Sequence, residues 1–128
     1  MHGGGRIGAP TMKNQEFQDR TKQFALRIIR MFGGLPRRTE AEVLGKQALR
    51  SGTSVAANYR EACRARSKAE FVAKFGIVEQ ELDETLLWLE LLVESGIVMD
   101  DRMALLHQET EELLKIVVSS LKTLKTGR

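Results

Sequence analysis

The sequence predicts an all-α fold, an antiparallel up-and-down bundle of four helices. Three observations carry this reading. Apolar residues recur at three- and four-residue steps, and no run of strict apolar–polar alternation is long enough to build a strand. Proline occurs only twice, at Pro10 and Pro36, so long helices run uninterrupted between and beyond them. Turn signals divide the chain into segments of helical length joined by short connections, which makes neighbours antiparallel. At 128 residues the chain suffices for one domain with a substantial core.

Residues 1–14 are glycine-rich and without periodicity, and they read as a flexible arm preceding a bundle over 15–126. The segment GGGRIG is not a phosphate loop, because it lacks the Gly-Lys-Ser/Thr ending and no strand precedes it. The first helix is predicted over about 16–32, with Phe17, Thr21, Phe24, Ile28 and Met31 or Phe32 on one face. Gly33-Gly34 stops it and Leu35-Pro36 turns the chain. Thr39, with Glu42 three residues on, is expected to cap a second helix reaching about residue 62. Its stripe of Leu44, Ala48, Ser51, Val55, Tyr59 and Ala62 is narrow and rich in small residues, which suits a close helix approach. Gly52 in that helix costs about 1 kcal/mol against alanine at an exposed position, so it points to tight packing or a tolerated defect.

Ser67 and Glu70 form a second capping box, opening a third helix that ends near Ser95-Gly96. Its stripe is Phe71, Phe75, Val78, Leu82, Leu86, Leu89 and Val93. A second apolar group, Ile77, Trp88 and Leu91, lies about 140 to 240 degrees around the same helix. One face cannot hold both sets, so this helix either sits centrally or turns its outer side to another subunit. Asp100 or Asp101 is expected to cap the fourth helix, whose stripe is Met103, Leu106, Thr110, Leu113, Val117, Leu121 and Leu124. Acids at its start and Lys122 and Lys125 at its end suit the helix dipole.

The formal charge of +3 says little, but its distribution is uneven. Residues 37–68 hold eight basic and three acidic side chains, net +5, and residues 69–101 one basic and nine acidic, net −8. Such asymmetry holds an anionic partner or joins complementary surfaces of like subunits. Lys46, Arg50, Arg60 and Arg64 project within about 80 degrees of one another on the second helix, opposite its apolar stripe. Arg37 and Arg38 precede that helix, and Arg66 and Lys68 follow it. These eight residues are the candidate nucleic-acid site, since guanidinium and ammonium groups in series meet phosphates in a salt-dependent, largely sequence-independent way. The competing reading is a solvated or inter-subunit charged face, with Glu81, Glu84 or Glu90 of a neighbour as counter-ions.

Catalytic machinery is sparse. His2 falls in the arm, His107 reads as an ordinary polar-face residue, and no HExxH motif or second histidine argues for a metal centre. Glu81 and Glu84, with Glu79 and Asp83 nearby, lack the inward Glu-x-x-His partners of di-metal bundles. The single cysteine, Cys63, excludes an intramolecular disulfide and has no evident base partner, although Arg60, Arg64 and Arg66 stand near it in sequence. Neither a membrane-spanning run nor a signal-peptide core is present, so a soluble, cytoplasmic protein without metal or cofactor is expected, and not an enzyme.

The segments LGKQALRSGTSVAANYREACRARSKAEF (44–71) and ELDETLLWLELL (81–92) carry a resemblance. Gln47, Arg50, Ser54, Val55, Asn58, Glu61, Ala62, Arg66, Ser67, Glu70, Phe71, Glu81, Leu82, Glu84 and Thr85 match the pattern of the 23S rRNA-intervening-sequence, or S23-like, proteins. The chain from about Phe17 to Leu124 resembles that family. The resemblance implies an up-and-down four-helix bundle, and for some members a ring-shaped homo-pentamer. A related group of retroelement accessory proteins associates with a reverse transcriptase and binds nucleic acid through basic surfaces, but this chain carries the plain family motif and nothing diagnostic of that group. RNA, DNA and a protein are thus the partners to consider, beside further copies of the chain. Among matched residues, Asn58, Glu81 and Glu84 are expected to be structural. Asn58 would bond to a neighbouring helix or backbone, Arg50 would pair with Glu81 or Glu84, Glu61 would pair with Arg64, and Leu82 and Thr85 would set the register of the third helix.

Overall fold

The computed structural model describes residues 14–127, which form four helices: α1 (Asn14–Gly33), α2 (Thr39–Cys63), α3 (Lys68–Glu94) and α4 (Asp100–Thr126). Their order and packing are those of an up-and-down bundle: α1 lies on α2, α2 on α3 and α3 on α4, while α1 and α4 touch least. The expected arm falls outside the described residues except Asn14, which already belongs to α1.

The core follows the predicted stripes closely. Phe17, Thr21, Phe24 and Ile28 are buried from α1, and Ala48, Ser51, Val55, Tyr59 and Ala62 from α2. Phe71, Phe75, Val78, Leu82 and Leu89 enter from α3, and Met103, Leu106, Thr110, Leu113, Val117 and Leu121 from α4. At one end Phe17, Tyr59 and Phe75 join three helices, with ring centroids 4.7 Å apart for Phe17–Tyr59 and 5.5 Å for Tyr59–Phe75. These separations lie in the favoured range for tilted and edge-to-face aromatic pairs. Along the second half of α3 the inward positions are Thr85 and Leu92, fully buried, and not Leu86, which is half-buried and lines a surface groove, or Val93, which packs against the core from its edge. The inward face drifts because 3.6 residues per turn slides a three-four repeat around the helix.

Two predicted caps differ. Arg38 is the N-cap of α2 and makes no side-chain capping bond, so Thr39 is the first helical residue. Met99 stands at the same position before α4, also without a side-chain bond, and Asp100 and Asp101 lie in the first turn. There the acids act on the helix dipole, not as caps. Ser67 does cap α3: its Oγ accepts from the Glu70 amide at 3.0 Å, and the Glu70 carboxylate accepts from the Arg66 amide at 2.7 Å.

The small residues of α2 set the spacing of the bundle. A Cβ on Gly52 would stand 2.8 Å from Cγ1 and 3.2 Å from Cβ of Ile28, so glycine is required for the α1–α2 approach. On the neighbouring side, the buried Ser51 and Thr85 hydroxyls of α2 and α3 lie 2.7 Å apart. Thr85 sends its proton to the Glu81 carbonyl at 2.7 Å, so Ser51 is the donor to Thr85. Tyr59 Oη donates to Asn14 Oδ1 at 3.3 Å. Burial, reinforced by Cys63, pushes the Tyr59 phenol above its ordinary range.

Gly52→Ala gains about 1 kcal/mol of helix propensity but overpacks the stiff Ile28 at a cost of about 1–3 kcal/mol, for a net loss of up to about 2 kcal/mol in urea unfolding. Gly76→Ala, whose Cβ meets nothing within 4 Å, gains up to about 1 kcal/mol in the same assay. Thr85→Val strands the Ser51 hydroxyl beside only the Ala48 carbonyl at 3.4 Å, and costs about 1–3 kcal/mol. Ser51→Ala costs less, because Thr85 keeps its bond to Glu81. The raised Tyr59 pKa stabilises the fold fully below the phenol's unfolded value of about 10, and that contribution is lost as pH rises above it. Thermal melts are therefore expected to weaken from about pH 10 upward, less steeply in Tyr59→Phe.

Candidate nucleic-acid interface

The eight basic residues singled out from sequence do not form one free stripe. Arg50, at the middle of α2, is held by two carboxylates of α3, at 2.7 Å from Glu84 and 3.3 Å from Glu81. Glu84 and Glu81 raise the Arg50 pKa above its usual value, which fixes the charge on the pair and leaves it locally net negative. The predicted pairing of Arg50 is thus the one observed. Lys46 meets Glu42 one turn earlier at 3.3 Å, and Arg38 meets Glu40 at 3.4 Å. These two contacts are exposed and weak.

The remaining five cations separate to the two ends of α2. Arg37 precedes its N-terminus, about 37 Å along the axis from the last turn at 1.5 Å per residue. Arg60, Arg64, Arg66 and Lys68 crowd the other end, where α2 finishes and α3 begins, and all four are exposed. Among the described residues none of the four side chains lies within ion-pair distance of a carboxylate. Arg60 occupies the last turn of α2, where positive charge also suits the helix dipole.

Glu61 pairs with Lys74 of α3 at 2.9 Å, and not with Arg64 as expected from sequence. Arg64 has passed beyond the end of α2, while Lys74 faces it from the first turns of α3. The Glu61 carboxylate raises the Lys74 pKa above the ordinary lysine range. Asn58 donates to the Ser54 carbonyl of its own helix at 2.9 Å, a backbone bond within α2.

Antiparallel packing adds residues to this end that sequence proximity could not. The last turns of α4 reach the start of α3, where Lys125 lines a groove with Val72. Lys125, read from sequence only as a dipole partner, therefore stands near this end, in a groove that Glu79 and Asp83 also line, whereas Lys122 lines a separate groove with Leu86 and Glu111. The pattern of Lys125 along α4 is that of an ordinary solvent-facing lysine, and only the topology assigns it here.

Acid gathers at the opposite end of α3. Glu90, Glu94, Asp100 and Glu111 line a groove of about 410 Å³ with His107. His107 is more than a solvated face residue: its Nε2 lies 3.0 Å from Glu90 of α3 and its Nδ1 3.6 Å from Glu111. Among the described residues no group of three or more His, Cys, Asp and Glu is arranged to hold a metal ion. None of the helices is long and apolar enough to cross a membrane.

Comparison with known proteins agrees with this architecture. No curated protein matches the chain. A solved structure from Bacteroides thetaiotaomicron VPI-5482, a protein of unknown function from the S23 ribosomal protein family, is 37% identical and superimposes with a TM-score of 0.80. The match covers 88% of this chain and 100% of that one. The family model described as 23S rRNA-intervening sequence protein matches residues 13–119. That span takes in α1, α2, α3 and most of α4, and the chain belongs to the 23S rRNA-intervening sequence protein family.

Proposed function

We propose that this protein is a non-enzymatic, homo-oligomeric accessory factor that holds RNA or another nucleic acid by its phosphates at the basic end of the bundle. The observation that carries the reading is the cluster of Arg60, Arg64, Arg66 and Lys68, four exposed cations whose side chains make no ion pair with a carboxylate among the described residues. Cations of a merely solvated face are expected to be interleaved with acids, as Lys46 is with Glu42. Here compensation stops at Arg50 and Lys74, and these four side chains are left without an ion pair. Arg37, Arg38, Lys46 and Arg50 are peripheral to the phosphate site in this reading.

A single cluster of this size gives weak, salt-sensitive attachment, since each phosphate neutralised releases about one counter-ion. Repetition around a closed oligomer, a pentamer by family resemblance, would bring several such ends to one polyanion and raise avidity without new contacts. The rival reading is a structural or protein-binding oligomer in which the same charges serve assembly. Exposed Leu87, Met99 and Leu105 support a protein contact of some kind, and the two readings meet different tests.

The measurement is binding of the size-defined protein to a labelled structured RNA and a matched duplex DNA across a salt series. Binding should weaken steeply with salt, and Arg60→Glu with Arg64→Glu should lower the log–log slope on duplex by roughly 2, at about 0.9 per phosphate contact. Lys46→Glu should leave the slope nearly unchanged. Absence of binding at low salt, or loss that tracks a change in oligomer size, defeats the nucleic-acid reading.

A further inference from the structure

The seam between α1 and α4, where the helices touch least, opens at one end into a groove of about 540 Å³. Its walls carry Arg27 and Arg30 from α1 and Arg102 from α4, and no acidic residue lines it. Among the described residues none of these three guanidinium groups has an ion-pair partner. Between them lie Leu105, 72% exposed, and Met99, 69% exposed, which leave more apolar surface in water than any other large apolar residue described. A groove lined by apolar side chains and three arginines suits an apolar ridge flanked by carboxylates.

The chain itself carries such a ridge. On α3, Asp83, Leu87, Leu91 and Glu94 follow at steps of four, four and three, within about 80 degrees around the helix. Leu87 is 47% exposed and Leu91 36%. Asp83 and Glu94 are exposed and make no ion pair among the described residues, unlike Glu84 and Glu90 beside them. Of the second apolar group read from sequence, Trp88 packs against the core and Ile77 is half-buried, so Leu91 with Leu87 is what remains for an outside contact.

We infer that the acidic-apolar stripe of α3 on one copy seats in the arginine-lined α1–α4 groove of the next. This rests on the homo-oligomer part of the proposed function and assigns its contact surface. Leu87 and Leu91 cover Leu105 and Met99, while Asp83 and Glu94 meet Arg27, Arg30 and Arg102. Sequential packing places α3 diagonally across from α1, so stripe and groove are separate surfaces and each copy offers both. The contact is therefore heterologous, and repeated copies close into a ring when the rotation between them permits. It uses none of Arg60, Arg64, Arg66 and Lys68, so assembly and phosphate binding do not compete for the same cations.

A charge swap tests the contact on the full chain, by light scattering coupled to size exclusion, with circular dichroism confirming the helical fold. Arg27→Glu with Arg30→Glu, and separately Asp83→Arg with Glu94→Arg, are each expected to raise the subunit dissociation constant at least about tenfold, because like charges then face each other. All four changes in one chain are expected to restore the wild-type size, since the groove is then acidic and the stripe basic. Arg60→Glu with Arg64→Glu should leave that size intact. A wild-type chain that stays monomeric overturns both this inference and the oligomer reading. A wild-type oligomer whose size is indifferent to either swap, or is not restored by the combined one, overturns this contact alone.

Discussion

The bundle depends on how closely α2 approaches its two neighbours. Glycine at 52 lets α2 ride on Ile28 of α1, and the Ser51–Thr85 hydroxyl pair draws it onto α3. Both contacts come from adjacent residues of one helix, so they fix spacing on one side and register on the other at a single level of the bundle. The aromatic cluster of Phe17, Tyr59 and Phe75 can fill the end of the core only because the three helices are brought to these distances. Larger residues in the α2 stripe would push α1 and α3 apart and open the interior along its whole length.

The same register determines which charges are spent. With Ser51 opposite Thr85, Arg50 falls beside Glu81 and Glu84, and Glu61 falls beside Lys74. The middle of α2 is thereby neutralised against α3, while Asp83 on the outer face of α3 and the arginines of the α1–α4 groove stay unpaired among the described residues. Unpaired cations gather where α2 ends, and where α3 ends and α4 begins an acidic groove and an arginine-lined groove stand on different faces. α2 itself holds three basic and three acidic side chains and α3 two basic and seven acidic, so the excess cations lie in the connections that flank α2 and not along the helix.

Most of the fold was legible in the sequence, because helical periodicity and glycine-bearing turns are local signals. Phe71, Phe75, Val78, Leu82 and Leu89 are where a three-four repeat places them. Thr39 and Asp100 misled because residue type alone does not tell the last non-helical residue from the first helical one. The site was legible in part. Arg60, Arg64, Arg66 and Lys68 stood out as a local run, and the Arg50 pairing could be read from facing positions. Lys125 could not be placed near them, nor Arg27 near Arg102, since nothing in a linear reading brings together residues far apart along the chain. The clasp of Arg20 by Glu109 and Glu112 was invisible for the same reason.

That clasp bears on how the molecule loosens. Arg20 meets Glu109 through two hydrogen bonds of 2.8 and 2.9 Å and reaches Glu112 as well, across the seam with the least helix packing. Elsewhere extensive buried hydrocarbon backs the ion pairs between helices, and it does not weaken by screening, whereas a part-exposed ion pair weakens as salt rises. The bundle is in effect a three-walled box with an electrostatic latch on the fourth side. Its lowest-energy fluctuation is therefore a parting of the first and last helices, with α2 and α3 remaining together as the most protected unit.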